Sequence, residues 1–332
     1  MRRKIGLLIL VAIVLLHGYP ARAQQPMKVP RIGFLSAGGG SFYESVRIET
    51  FRQGLRELGY VEGKNIIIEY RSAEGMLDRL PALAAELVRL KVDIIVTGGP
   101  PSAGAAKEAT VTIPIVMTGV GDPVGSGFVA SLARPGGNIT GLSTLAPELS
   151  GKRLELLKEV VPRLSRVAVF GTTTSPDNAQ SLKEVELAAG ALKLKLQYLD
   201  IRDASNPKDL ETAFRAAAKG RAEAVLMMVA PVVTSRHQTE IAELAVKNRL
   251  PVIFSGRASV EAGGLMFYGV NNMDLNRRAA TYVDKILKGR TPADLPVEQP
   301  MKFEFIINLK AAKQIGLTVP PNVLVRADKV IR

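Results

Sequence analysis

The chain has 332 residues, and its 44 lysine and arginine residues exceed its 31 aspartate and glutamate residues, for a formal net charge of +13. It contains no cysteine, which excludes disulfides, a thiol nucleophile, thiolate metal sites and a lipid-bearing cysteine anchor. The basic residues are scattered rather than gathered into a stripe, which argues against a nucleic-acid groove.

Residues 1–23 predict a secretory signal peptide. Three basic residues precede the uncharged stretch Ile5–Leu16, and Ala21-Arg22-Ala23 supplies the small-residue end of the segment. A membrane anchor is the alternative, but this stretch is shorter than the roughly 20 residues that span a bilayer. We therefore expect cleavage after Ala23 and, because no cysteine can carry a lipid, a diffusible protein in the periplasm.

Segments typical of strands and helices alternate along the remaining chain. Several strand segments are short apolar runs, typical of parallel strands covered on both faces, and helices show helical spacing of apolar residues. The first run predicts strands Arg31–Ser36, Asn65–Tyr70, Val92–Thr97 and Ile113–Met117, with helices that include Leu77–Leu90 and Ser102–Ala109. The second run predicts strands Arg166–Phe170, Leu194–Leu199, Ala222–Val229 and Pro251–Phe254, with helices Leu149–Val161, Pro176–Leu192, Pro207–Lys219 and Ser235–Asn248.

Two successive β/α runs favour two doubly wound, Rossmann-like α/β lobes with a ligand cleft between them, over a single barrel of about eight units. We expect the first lobe in residues 24–143 and the second in residues 144–269. Residues 270–332 are expected to hold crossover and C-terminal elements shared between the lobes. They include a helix at Met273–Lys288 and a strand at Phe303–Ile307.

The stretch LARPGGNITGLST, residues 132–144, lies at the junction of the two runs. Pro135 is predicted to end a helix containing Phe128–Ala133, because proline is poorly tolerated inside a helix. Gly136, Gly137 and Asn138 tolerate backbone conformations that other residues avoid. We expect this turn to carry the chain between the lobes as a hinge; an ordinary surface turn is the alternative.

Most catalytic signatures are absent. His237 is the only histidine outside the signal peptide, and the chain has no nucleophile elbow, zinc-protease motif or P-loop. The glycines of TGVGDPVGSG, residues 118–127, miss the dinucleotide spacing and have no acidic residue at the required distance. We therefore expect that the protein is not an enzyme and that it holds no metal ion or cofactor. An exported α/β enzyme is the alternative.

Small polar and glycine-rich loops follow several of the predicted strands. In open α/β sheets, ligands bind beyond the carboxyl ends of the strands, where helix N-termini present free N–H groups. Asp122 is predicted to neutralise an ammonium group, and Phe42, Tyr43 or Tyr268 to cover an apolar side chain; turn formation alone is the alternative for each loop residue. The predicted ligand-binding residues are Ser36, Ser41, Phe42, Thr97, Gly98, Ser102, Gly121, Asp122, Thr172, Thr173 and Gly256.

Four segments carry a resemblance to a known family. They are IPIVMTGVGDPVGSGFVASLARPGGNITGLS (113–143), LSGKRLELLKEVVPRLSRVAVF (149–170), VEAGGLMFYG (260–269) and the stretch from KILKGRTPADLP to the C-terminal region (285–331). The chain resembles the ABC-transporter substrate-binding proteins of the tryptophan/tyrosine-type branch, which have the type I periplasmic-binding-protein fold. The G-D-P-V and A-R-P-G-G-N blocks are quite specific to that family.

The resemblance implies a two-lobed solute receptor that delivers its ligand to an inner-membrane permease with a cytoplasmic ATPase. Ligands in the family include aromatic amino acids. From the second lobe, the resemblance implies that Thr172–Ser175, Ala230-Pro231 and Gly256-Arg257 line the cleft. We expect a monomer that binds an amino acid or a related small carboxylate and no nucleic acid. A periplasmic sensing module that presents ligand to a membrane receptor is the alternative.

Overall fold

The computed structural model describes residues 28–38, 42–172, 176–201, 206–229 and 237–332. The predicted signal peptide lies outside these ranges, and so do three residues predicted to bind ligand, Ser41, Thr173 and Ala230. Phe42 begins a helix, but its side chain also lies outside the described part.

The first lobe is built on a five-stranded parallel sheet. Its elements in chain order are β1 (Arg31–Ser36), α1 (Phe42–Glu57), β2 (Ile67–Ser72), a 3-10 turn (Leu77–Arg79), α2 (Leu80–Arg89), β3 (Ile94–Gly98), α3 (Pro100–Ala109), β4 (Ile115–Val120) and β5 (Ile139–Ser143). The strand order is β2-β1-β3-β4-β5, and neighbouring strands are parallel throughout.

The second lobe contains a seven-stranded sheet. The elements that follow β5 are α4 (Ala146–Val160), β6 (Arg166–Gly171), α5 (Pro176–Leu192), β7 (Lys195–Asp200), α6 (Pro207–Lys219), β8 (Ala224–Met227), α7 (Gln238–Lys247), β9 (Val252–Phe254), α8 (Arg257–Glu261), β10 (Met266–Val270), α9 (Asn272–Leu287), a 3-10 turn (Pro292–Asp294), β11 (Phe303–Asn308), α10 (Leu309–Gln314), α11 (Pro321–Leu324) and β12 (Lys329–Ile331). The strand order is β12-β11-β10-β9-β8-β6-β7, with β10 and β11 antiparallel. Two separate sheets confirm the predicted fold class and exclude a single barrel.

Each sheet is covered by helices on both faces, which is why its strands are apolar on both sides. In the first lobe, α1 and α9 pack on one face and α2 and α3 on the other. In the second lobe, α4 and α5 cover one face and α6, α7 and α8 the other. The predicted alternation of strands and helices follows from this arrangement, because a connection between parallel strands needs a long crossover, which is usually a helix.

The C-terminal tail divides between the lobes. Helix α9 returns to the first lobe and packs along α1, where Ala279, Ala280 and Val283 are fully buried. This packing is close at Gly54 of α1, because a Cβ atom there would overlap the carbonyl oxygen of Arg277. Strands β11 and β12 instead extend the sheet of the second lobe. The first lobe is therefore completed by residues that follow the second lobe in the sequence.

Three segments connect the lobes: β5 to α4, β10 to α9, and the segment that precedes β11. They lie side by side, since the Ser143 amide donates to the carbonyl of Glu298 (2.9 Å) and the Glu298 amide donates to the carbonyl of Gly141 (3.0 Å). The Asn271 amide donates to the carbonyl of Lys302 (3.0 Å). We refer to these three segments as the interlobe connections.

The predicted hinge at Gly136, Gly137 and Asn138 is wrong in its position. These residues join β4 to β5 within one sheet, at the amino end of β5, so the chain does not cross between the lobes there. The Asn138 side-chain amide donates to the carbonyls of Thr110 (3.2 Å) and Ile113 (2.8 Å), which fixes the turn to the first lobe.

The helix predicted at Phe128–Ala133 does not form either, since residues 121–138 consist of turns and bends. Gly127 has a φ of 69°, which breaks a helix immediately before this segment. The Ser131 hydroxyl then accepts from the Arg134 amide (3.0 Å) and directs the chain into a local turn.

We predict that Gly54→Ala lowers the free energy of unfolding by about 1–3 kcal/mol, because the added methyl group overpacks the contact between α1 and α9. Gly190→Ala is the matched control. Gly190 also lies in a helix, but a Cβ atom there meets nothing within 4 Å. That substitution should raise stability by roughly 0.5–1 kcal/mol. Urea denaturation followed by circular dichroism measures both, and equal effects would contradict the packing argument.

Candidate functional site

The carboxyl ends of the central strands of the first lobe bring three small residues together. Ser36 is paired in register with Gly98, and Gly98 with Thr118. Side chains alternate between the faces of a strand, so these three residues share the face that packs against α1 and α9. This edge is where ligands of open α/β sheets bind.

Two further polar side chains reach this edge from the helices. The Arg47 guanidinium of α1 occupies the space over Gly98, where a Cβ atom would overlap Nη2 and lie 3.2 Å from Cζ. Asn276 of α9 is buried, and its Oδ1 lies 3.5 Å from the Thr118 hydroxyl. We name Ser36, Arg47, Gly98, Thr118 and Asn276 the strand-end cluster.

The polar groups of this cluster differ in their hydrogen-bond partners. The Thr118 hydroxyl donates to the carbonyl of Thr97 (2.9 Å), and the Asn276 amide donates to the carbonyl of Asn272 (2.6 Å). Ser36 as a residue is only 2% exposed, and its hydroxyl has no hydrogen-bond partner in the described part of the chain. Because an unpaired buried hydroxyl costs free energy, a ligand atom or water that bonds Ser36 would stabilise the site.

Thr97 and Ser102, also predicted to bind ligand, lie on the other side of the first sheet. Both are fully buried, and neither hydroxyl has a partner among the residues that the structure describes. Ser102 is in the first turn of α3, after Pro100 and Pro101. Proline has no N–H group, so this helix N-terminus lacks two of the donors that usually make such a site attractive to anions.

Gly121 and Asp122 line a crevice between the lobes. Its volume is about 470 Å³, part of which is open to solvent, and Glu148, Gln180 and Glu184 line it from the second lobe. The Asp122 carboxylate also has a structural role, because it accepts from the amide of Gly125 (2.8 Å). Three carboxylates around one crevice favour a cationic group.

In the second lobe, Thr172 and Gly256 lie at the carboxyl ends of β6 and β9. The carbonyl of Thr172 accepts from the side-chain amide of Asn178 (2.9 Å). Gly256 precedes α8, whose first residue, Arg257, forms an ion pair with Glu304 (3.1 Å). The second lobe therefore presents a guanidinium that already has an acidic partner.

Comparison with known proteins gives the family. The sequence profile described as "ABC transporter substrate binding protein" matches residues 41–331. The chain belongs to this family. The match confirms the resemblance inferred from the sequence motifs, and it assigns the protein to a class that binds solutes for ABC transporters.

Individual relatives of the binding protein agree with this assignment. A tyrosine-binding protein of Clostridioides difficile (strain R20291) is 29% identical over 267 residues, which cover 80% of this chain and 75% of that protein. A conserved domain protein of Vibrio cholerae O1 biovar eltor str. N16961 superposes with a TM-score of 0.84 at 29% identity, covering 91% of this chain and all of that one. A Streptococcus pneumonia ABC domain in complex with L-Trp gives 0.83 at 24% identity, covering 91% and 99%.

The described residues were compared with the requirements of a metal site and of a membrane-spanning helix. These residues contain no group of three or more histidine, cysteine, aspartate or glutamate side chains that could hold a metal ion. Within the same part of the chain, no helix has both the length and the apolar character needed to cross a membrane.

Tyr268 of the binding protein lies at the base of the interlobe connections. Its ring stacks on Phe303 (6.3 Å between centroids, 13° between planes) and meets Phe305 edge-on (6.2 Å, 79°). Its carbonyl accepts from Nε of Arg153 (2.7 Å), and burial lowers the pKa of Arg153 to about 10. The Tyr268 ring is thus partly buried against these side chains, and its contact with a ligand side chain stays a prediction.

The sequence reasoning did not predict Arg47 or Asn276. A signal for Arg47 exists, because Arg47, Phe51 and Gly54 follow the i, i+4, i+7 spacing of one helix face, and Phe51 is fully buried. Asn276 had no comparable signal, since the return of α9 to the first lobe was not resolved from the sequence.

We predict that Asp122→Ala loosens the loop at residues 121–127, because the Gly125 amide loses its acceptor. Asp122→Asn keeps an oxygen at that position and should leave the loop ordered. Hydrogen exchange of the Gly125 amide distinguishes the two variants, with faster exchange expected for alanine alone. Equal exchange in both variants would show that the Asp122 side chain does not support the loop.

Proposed function

We propose that the protein is the periplasmic receptor of an ABC importer, that it captures a tyrosine- or tryptophan-like amino acid, and that it delivers this ligand to the membrane permease and its ATPase. The family assignment and the names of two relatives support this ligand class. The segment at residues 1–23 supports export, and the absence of cysteine supports a diffusible, unlipidated protein.

The observation that carries the proposal is the crevice between the lobes. Asp122 from the first lobe and Glu148 and Glu184 from the second line the same space. A ligand in contact with both lobes stabilises the arrangement in which the lobes are close, because the separated arrangement makes only one set of contacts. Capture therefore needs no change to a covalent bond in the ligand.

The charges suit an amino acid. Its ammonium group would lie toward the carboxylates of the crevice, and its carboxylate would lie toward donors at the strand ends of the first lobe. Micromolar affinity corresponds to about −8 kcal/mol, which a few buried hydrogen bonds and one apolar pocket can supply. We expect a monomer, since each chain contributes both sides of the crevice.

The ligand class can be tested by thermal denaturation of residues 24–332 with L-tyrosine, L-tryptophan and L-phenylalanine. Glucose, ribose and uridine serve as comparison solutes. A ligand at 100 times its Kd stabilises the folded protein by about 2.7 kcal/mol, so we expect a rise in Tm with at least one aromatic amino acid. A rise with sugars or uridine alone would refute the amino-acid assignment.

The ammonium role of Asp122 gives a separate prediction. Asp122→Asn removes the charge and keeps the loop contact, so it should weaken binding of the amino acid about tenfold, or 1.4 kcal/mol. Binding of 3-(4-hydroxyphenyl)propionate, which has no amine, should not change. Glu108→Gln, an exposed change in the last turn of α3, is the matched control. Isothermal titration calorimetry measures these affinities, and unchanged amino-acid binding would rule out the role.

A further inference from the structure

Arg47 stands out among the charged residues of the first lobe by its position. It is partly buried, whereas Arg56 on the same helix is half exposed and pairs with Glu49 (2.7 Å). The Arg47 guanidinium lies across the carboxyl end of β3, at Gly98. A positive charge is thus held at the edge of the sheet where ligands of this architecture bind.

Glycine at residue 98 leaves the space that the Arg47 guanidinium occupies. Any side chain there would occupy the space of the guanidinium, because its Cβ would overlap Nη2 of Arg47. Gly98 has no positive φ, so its backbone conformation does not require glycine. The close approach of Arg47 is therefore the physical reason for a small residue at this point.

The neighbouring groups suit an anion. The Ser36 hydroxyl lies on the same face, is buried, and has no partner in the described ranges. Arg47 already makes an interaction within the chain, but a guanidinium has five N–H donors and can serve several acceptors. The N-terminus of α3 lacks its first two N–H groups because of Pro100 and Pro101, so backbone donors there are fewer than usual.

We propose that Arg47 recognises the carboxylate of the ligand, with the Ser36 hydroxyl as a second donor and Gly98 as the space that admits the guanidinium. Arg is suited to this role because its planar fork binds a carboxylate through two parallel hydrogen bonds. This inference rests on the proposed function, since it concerns the ligand named there. It sets the orientation of the ligand, with the acid at the strand-end cluster and the amine at the crevice.

The test compares acids with their amides in calorimetric titrations. The probes are L-tyrosine and L-tyrosinamide, L-tryptophan and L-tryptophanamide, and benzoate and benzamide. Each acid that binds wild type is expected to have at least tenfold higher affinity than its amide. Arg47→Met should lower acid affinity 30- to 100-fold and change amide affinity less than threefold. Arg47→Lys should fall between, because lysine keeps the charge and loses the fork.

Two further variants separate recognition from folding. Gly98→Ala displaces the flexible end of Arg47 and should weaken acid binding while the ligand-free Tm stays close to that of wild type. Arg56→Met, the matched control on α1, should bind like wild type. An Arg47→Met protein that binds acids as wild type does would overturn the inference, and so would a wild type that binds amides and acids equally.

The outcomes also distinguish the two proposals. If tyrosine or tryptophan binds wild type and Arg47→Met alike, the carboxylate role fails and the proposed function stands. If benzoate alone binds, and binds through Arg47, the carboxylate role stands and the aromatic amino-acid assignment fails. If no acid of the panel binds wild type, the carboxylate role is rejected.

Discussion

The backbone hydrogen bonds that join the interlobe connections are the constraint on which the rest of the structure depends. They hold the segments around Ser143, Asn271 and Glu298 side by side, so the lobes meet at one common edge. Two side-chain contacts add to them: Arg153 bonds the carbonyl of Tyr268, and Lys302 pairs with Asp274 of α9 (3.0 Å). Because a buried cation is costly without a partner, the Arg153 contact makes this region sensitive to substitution. The cleft and its polar edges follow from this arrangement.

Two parts of the candidate site differ in electrostatic character. The strand-end cluster of the first lobe holds the Arg47 guanidinium and the Ser36 hydroxyl, which has no partner among the described residues, whereas the crevice at Asp122 is lined by carboxylates from both lobes. A zwitterion carries both kinds of charge that these groups attract, and an uncharged solute does not. The net charge of +13 does not set the orientation of a ligand, because orientation depends on the local placement of a few charged groups.

Much of the fold could be predicted from the sequence because parallel strands are apolar on both faces. The strand at Arg31–Ser36 and the helices at Pro176–Leu192 and Pro207–Lys219 have the predicted bounds. The turn at Gly136–Asn138 was misplaced, since turn chemistry specifies a local bend and not the sheet that the next strand joins. Arg47 and Asn276 reach the same edge of the first sheet only because α1 and α9, more than 200 residues apart, pack together. Local sequence patterns do not predict packing between such distant helices.

The return of α9 to the first lobe has a consequence for how the chain folds. The core around Phe34 and Phe51 is completed by residues 272–287. The ribosome must therefore synthesise the whole second lobe before the first lobe can complete its core. Such contacts between distant residues give a high contact order, which slows folding. The first lobe thus stays incomplete until nearly all of the polypeptide has emerged from the ribosome.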